Sequence, residues 1–499
     1  MHLTNIRTNK IMHPTSLSQI DSCQIFTALI KMSRSANSQL TLSDISFLIS
    51  KPFNVVSSEL STKNNNDKRF SFLSANPSER MNFYCSSEIK IWQQSIQKNT
   101  VTEANTPLEN NAAEFKEKSQ ESRIPFHSGW IGYFSYPRST SNTAHNTATN
   151  IPTKSIAEFN YYPWSICFDH SLGQFHLLGK PDQAAKEAYA WLLAELSNQR
   201  TNKLIAQPQP QPQASSFLTT PFIAAPFIAR WQKSDYKKAF DRVQNYLLAG
   251  DCYQVNLTHP FVSSHYEGSA IDTIQPLASA LKPNFGCYFQ GKDCELVSMS
   301  PERFMSINSS GVLEAKPIKG TIKRGEDSAL DKALIAELSN SAKNKAENLM
   351  IVDLLRNDLS MSAIPGSVKV DKLFELESHP NVHHLVSTIS AQLKPEISPA
   401  EAINSAFPGG SITGAPKKRA MEIIEELEVQ PRSLYCGSFG YFSDTGNTDF
   451  NILIRSLEFR DNTITCWGGG GITVDSDCDE EYEESLTKIQ RIMDVIEGL

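Results

Sequence analysis

Residues 407–428 read FPGGSITGAPKKRAMEIIEELE. Two glycines and a run of small residues form a turn. A helix follows over 416–427, with proline in its first turn, where the missing N–H costs nothing. Free N–H groups at such a helix start attract anions, and Lys417 adds charge. The stretch looks like a phosphate-binding loop but fails that template. After Gly414 the order is Ala-Pro-Lys, and no Ser or Thr follows the lysine. Nucleotide binding is disfavoured; an anion site and a plain turn with a solvated basic cap both stay open.

Working outward, the chain mixes helices and strands without a βαβ beat. Helical spacing marks 234–249, where Tyr236, Phe240, Val243, Tyr246 and Leu247 share a face. It also marks 339–357, and 480–496 with the stripe Tyr482, Leu486, Ile489, Met493 and Ile496. Strands are expected at 129–136, within 164–178, and at 252–257, 294–299, 304–307, 312–315 and 463–467. This mixture predicts an α+β fold. An alternating Gln-Pro run at 207–214 cannot join a sheet ladder and reads as a semi-rigid linker. The expected division is 1–206, a Gln/Pro-rich linker at 207–230, and 231–499. Polar stretches at 61–68, 97–122 and 138–155 read as long surface loops.

Composition narrows the function classes. The chain has 499 residues, 40% hydrophobic, with a formal net charge of -7. No basic block suggests a nucleic-acid face. No apolar run approaches the roughly eighteen residues of a membrane span. Nine cysteines without a CxxC pair suit a reducing compartment. With no leader-like apolar core at the N-terminus, a cytoplasmic protein is expected.

Several residues carry chemistry. Glu347 heads an apolar helix face, and a carboxylate there needs solvent or a partner. Glu481 and Glu484 lie three apart, on one face of the last helix. Three carboxylates from two adjacent helices would suit Mg²⁺, a hard cation that keeps room for substrate oxygens; an acidic, dipole-stabilised helix start is the plainer reading. Gly468–Gly471 follow a strand; backbone N–H groups there are open to a ligand, although a bulge or tight corner is the commoner use of such a run. Arg455 sits in the strand-like NILIRSL and needs an anion, usually a structural carboxylate. Lys319, in PIKGT, would become a nucleophile if drawn into an apolar cleft, against the usual solvated lysine.

In this order the motifs closely resemble the chorismate-utilising enzymes, which include anthranilate, isochorismate, salicylate and aminodeoxychorismate synthases. The matching stretches are GDCYQVNL, SPERF, PIKGT, AENLMIVDLLRNDL, VHHLVSTI, FPGGSITGAPKKRAMEIIEELE, CGSFGYF and GGGITVDSDCDEEYEE. They fill most of 234–499; HSGWIGYFSYP at 127–137 extends the likeness more weakly. The resemblance implies antiparallel sheets forming a sandwich flanked by helices. Lys319 points to the aminodeoxychorismate branch, since anthranilate and isochorismate synthases typically have alanine there. Gln254 stands where the water-using relatives place an activating lysine.

By the same resemblance, chorismate and ammonia would yield 4-amino-4-deoxychorismate, the precursor of 4-aminobenzoate in folate biosynthesis. Mg²⁺ would be held by Glu347, Glu481 and Glu484. Arg455, Tyr441 and the N–H groups of Gly469, Gly470 and Gly471 would hold the enolpyruvyl carboxylate, while Thr413 and Lys417 line the ring end. Lys319 would attack the ring, with Glu302 as acid assisted by His384. No glutaminase elbow is legible, so ammonia is expected from a separate glutamine amidotransferase subunit. A tryptophan pocket in the N-terminal half is left open, with no inhibitor motif to mark it. The competing readings are anthranilate synthase component I and a non-catalytic chorismate or tryptophan sensor.

Overall fold

The computed structural model describes residues 46–49, 70–84, 88–90, 92–93, 123–137, 156–170, 172–205, 221–378 and 382–499. The three polar stretches expected as loops, and the whole Gln-Pro run at 207–214, lie outside these residues.

Alternating apolar strands need two covered faces, and the chain supplies them with two antiparallel sheets. One sheet runs Gly414–Ala415, Gln254–Ser263, Thr463–Ile472, Ser456–Arg460, Glu295–Ser300, Phe285–Gln290, Ser46–Ile49, Phe70–Ser74, Trp164–Asp169 and Gln174–Gly179. The other runs Ile318–Lys323, Val382–Gln392, Val312–Ala315, Arg303–Ile307, Thr448–Asn451, Ser438–Ser443, Gly129–Phe134, Ala157–Tyr162 and Glu79–Phe83. Lys369–Ser378 covers the far edge of Val382–Gln392.

Phe72, Cys287, Phe289 and Leu296 of the first sheet meet Ile131, Tyr133, Phe439 and Tyr441 of the second in one buried cluster. That cluster is the sandwich core. Helices Gln183–Ile205, Ile274–Leu281 and Cys478–Glu497 cover the outside of the first sheet. Helices Ala342–Ser362 and Pro399–Ala406 cover the outside of the second. Helices Lys233–Leu248 and Lys417–Leu427 pack at the Val255, Leu257 and Ile472 end. The expected α+β sandwich flanked by helices is the architecture found.

Strands from both sides of the Gln-Pro run are neighbours in both sheets. The division expected near 206 and 231 therefore partitions the chain, and the cores run across it. Within the expected linker, Ile223–Ala224 pairs with Tyr266–Glu267, and Ile228–Ala229 pairs with Phe261–Val262.

Candidate active site

The glycine run is the first departure from the sequence reading. All four glycines continue a strand, Thr463–Ile472, and make no corner. On one side this strand pairs with Gln254–Ser263 over its whole length. On the other its ladder to Ser456–Arg460 stops at Leu457 opposite Cys466. Two more steps would set Arg455 opposite Gly468, but Arg455 turns away with φ of 52°. Alternate backbone groups beyond Cys466 therefore face a gap on this free edge.

Added side chains on this edge would have to displace those of Glu481 and Gln254. A Cβ on Gly470 would stand 2.9 Å from Glu481 Oε2, and one on Gly471 would stand 2.1 Å from Gln254 Nε2. Gln254 is 1% exposed, and among the described residues its Oε1 has no partner. Arg455 was expected inside a strand; instead it sits at the mouth where two strands part. Burial draws its pKa down, and among the described residues no hydrogen bond or ion pair engages its guanidinium. An unpaired, half-buried guanidinium is costly unless an anion arrives.

The C-terminal helix, Cys478–Glu497, begins beside this strand, with Asp477 accepting from the N–H groups of Asp479 and Glu480. Its i, i+3, i+4 geometry places Glu481, Glu484 and Lys488 on one side. Glu481 is 8% exposed, and Ser476 donates to its Oε1 at 2.7 Å. Burial pushes its carboxyl up, and Glu484 adds to this. Burial would raise Glu484 too, but its salt bridge to Lys488 prevails and holds it below the usual range.

Lys319 lies on the edge strand Ile318–Lys323. Burial draws its ammonium pKa down; Glu302, Glu347 and Glu484 oppose the shift, and Lys488 reinforces it. Glu302, 8% exposed, is the mirror case. Burial pushes its carboxyl up, while Lys319, a hydrogen bond from Ser411 and Lys488 work against it. His384, also 8% exposed, sits on the paired strand, its Nδ1 2.8 Å from Thr321 Oγ1. The structure thus gathers Lys319, Glu302, Glu347, Glu484 and Lys488 within electrostatic reach, with Glu481 and the glycine strand alongside.

Three expected ligands are placed differently. Lys417 is not free for a substrate: its Nζ donates to Asp358 Oδ2 at 2.7 Å and to the Ala406 carbonyl at 2.8 Å. Thr413 is fully buried and spends its hydroxyl proton on the Gly409 carbonyl, 3.0 Å away. Tyr441 points into the sandwich core, 5.1 Å from the Phe126 ring and 6.4 Å from Phe72. Tyr435 lies nearer the glycines. It stacks on Trp467, the residue before them, at 5.5 Å and 5°. Sequence reasoning missed Tyr435, Ser411 and Lys488. Lys488 had a signal, since it follows Glu484 by one helical turn.

For a metal, the donor chemistry fits a hard cation: buried Glu481 and exposed Glu484 repel one another on one helix face. The side chains stand short of a closed cluster, for among the described residues no three metal-ligating groups are gathered closely enough to hold an ion. Lys488 meanwhile engages Glu484.

Comparison with known proteins identifies the family. The family model described as chorismate binding enzyme matches residues 61–494. Aminodeoxychorismate synthase component 1 of Escherichia coli is 40% identical over 380 residues, spanning 75% of this chain and 78% of that one. Its Salmonella typhimurium counterpart is 39% identical over 378 residues, with the same coverage. In fold, the chain is similar to anthranilate synthase component I from Streptococcus pneumoniae, with TM-score 0.63, 24% identity, and 88% and 94% of the two chains covered. It is also similar to a putative isochorismate synthase from Bacillus anthracis, with TM-score 0.59, 17% identity, and 93% and 98% covered. Matched by the family model over most of its length and by relatives at 39–40% identity, the chain belongs to the chorismate binding enzyme family.

Proposed function

We propose that this protein converts chorismate and ammonia to 4-amino-4-deoxychorismate. The observation that carries the reading is that half-buried Lys319 and buried Glu302 lie within electrostatic reach of one another, both drawn from water. It biases the lysine toward its neutral, nucleophilic form and the carboxyl toward its protonated form. The Nζ lone pair of Lys319 attacks ring carbon two, the ring double bonds shift, and the hydroxyl at carbon four leaves as water with a proton from Glu302. Ammonia then adds at carbon four, the electrons shift back, and the lysine amine departs. His384 orients this wall of the site through Thr321. Arg455 and the free edge of Gly469–Gly471 take one substrate carboxylate, fixing the ring against the lysine.

Mg²⁺, held by Glu347, Glu481 and Glu484, would supply positive charge to a substrate carboxylate. Ammonia would come from a separate glutamine amidotransferase subunit, with free ammonium as the poorer substitute. Tryptophan binding in the N-terminal half and a cytoplasmic location belong to the same reading. Among the described residues no helix is long and apolar enough to cross a membrane.

The test is incubation of the protein with chorismate, ammonium and Mg²⁺, with and without an added lyase that releases 4-aminobenzoate. Fluorescent anthranilate in the lyase-free arm would favour anthranilate synthase instead. Mass spectrometry of the quenched wild type should show a covalent adduct on Lys319. The same adduct yield in Lys319→Ala would refute the nucleophile.

A further inference from the structure

Lys319 is held at an insecure place. Ile318 faces Val386 and Thr321 faces His384, so three steps on one strand match two on the other. The extra residue is a bulge, and Gly320, with φ of 87°, absorbs it. The bulged strand is also the edge of its sheet. Edge strands open most readily unless something closes them.

Adjacent histidines of the partner strand send their side chains to opposite faces. His384 reaches Thr321 on one face. His383, 1% exposed, works on the other. Its Nδ1 lies 2.8 Å from Ser378 Oγ, and its Nε2 lies 3.0 Å from Asp331 Oδ1. Asp331 also accepts from Arg324 Nε at 2.9 Å, from Arg324 Nη2 at 2.8 Å and from the Gly325 N–H at 2.7 Å.

Arg324 directly follows the lysine's strand, while Asp331 sits in the first turn of helix Ser328–Asn340. One carboxylate thus ties together the end of the lysine strand, the helix that follows it and the partner strand. The far end of that helix and the start of helix Ala342–Ser362 close over the bulge: a Cβ on Gly320 would meet Leu338 at 3.0 Å and Asn344 at 3.1 Å.

We propose that Asp331 and His383 are positioning residues for Lys319, forming a clasp that holds its bulge shut against the cleft. The inference rests on the reading of Lys319 as the reacting amine. Neither residue touches substrate; both act through the backbone that carries the lysine. A role confined to stability would lower the melting temperature and leave turnover per folded molecule unchanged.

The experiment measures amide hydrogen exchange and ammonium-dependent kinetics on full-length Asp331→Ala, His383→Leu and His383→Gln, where Gln keeps a donor near the Nε2 position. In Asp331→Ala, exchange over 317–324 should rise about tenfold or more while the glycine strand stays protected. Its kcat should fall by about tenfold with the chorismate KM within ~3-fold. His383→Leu should shift both the same way, and His383→Gln should recover most of the loss.

Unchanged exchange over 317–324 overturns the clasp. Faster exchange with unchanged kcat overturns its part in catalysis. If Lys319→Ala itself turns over normally, the nucleophile reading has failed instead, and the exchange data judge the clasp alone. Should Asp331→Ala not fold, Arg324→Lys tests the same link, because it keeps the charge and loses the two-pronged contact.

Discussion

Lys488 Nζ lies 2.7 Å from Glu484 Oε1 and donates to the Gly469 carbonyl at 3.0 Å, joining the acidic face of the last helix to the glycine strand. The lysine and an incoming metal ion would compete for one carboxylate. Lys488→Met should therefore tighten Mg²⁺ binding by about tenfold, or ~1.4 kcal/mol, while weakening chorismate. Calorimetric Mg²⁺ titration of the two proteins checks the sign. Weaker Mg²⁺ binding in the variant would remove Glu484 from the metal set.

Arg455 offers an opposite pairing of effects. Its guanidinium is drawn from water and, among the described residues, has no partner. Arg455→Met should leave the fold unharmed or raise stability by about 1 kcal/mol, the usual trade between a strained site and stability. Chorismate affinity should fall by about a hundredfold, because a charge-assisted carboxylate contact disappears. Thermal unfolding beside calorimetry separates the two.

Lys417 should behave as a structural residue. Its side chain is 18% exposed and that of Asp358 is 3%. Burial pushes the Asp358 carboxyl up to about 6 even though Lys417 lowers it. Lys417→Ala would strand that carboxyl and should cost about 3–5 kcal/mol of stability. Lys417→Met with Asp358→Leu should be milder. Chorismate KM of the folded fraction should change little, in contrast to the Arg455 variant.

The activity profile should be bell-shaped in pH. The reacting state needs neutral Lys319, gained as pH rises through its lowered pKa, and protonated Glu302, lost as pH rises through its raised pKa. Glu302→Gln should flatten the alkaline limb at a much lower maximum and leave the acid limb. A variant that keeps the alkaline limb would show that another group supplies the proton.

The ordered motifs and the helix face shared by Glu481 and Glu484 were legible in the sequence, and Lys319 and Glu302 stood within its motifs as candidates. Each depends on local periodicity or on a contiguous motif. Tertiary structure decided the rest. Whether Gly468–Gly471 turn or run straight depends on Gln254–Ser263 pairing beside them. Arg455 looks like a strand residue until the ladder ends at Leu457 and φ turns positive. Lys417 is spent on a carboxylate 59 residues away, and His383 on one 52 residues away. Tyr441 alternates correctly for a strand, but a period of two does not say which face meets the sandwich core and which meets a ligand. Partners distant in sequence set burial and charge pairing, and those two quantities separate a binding residue from a structural one.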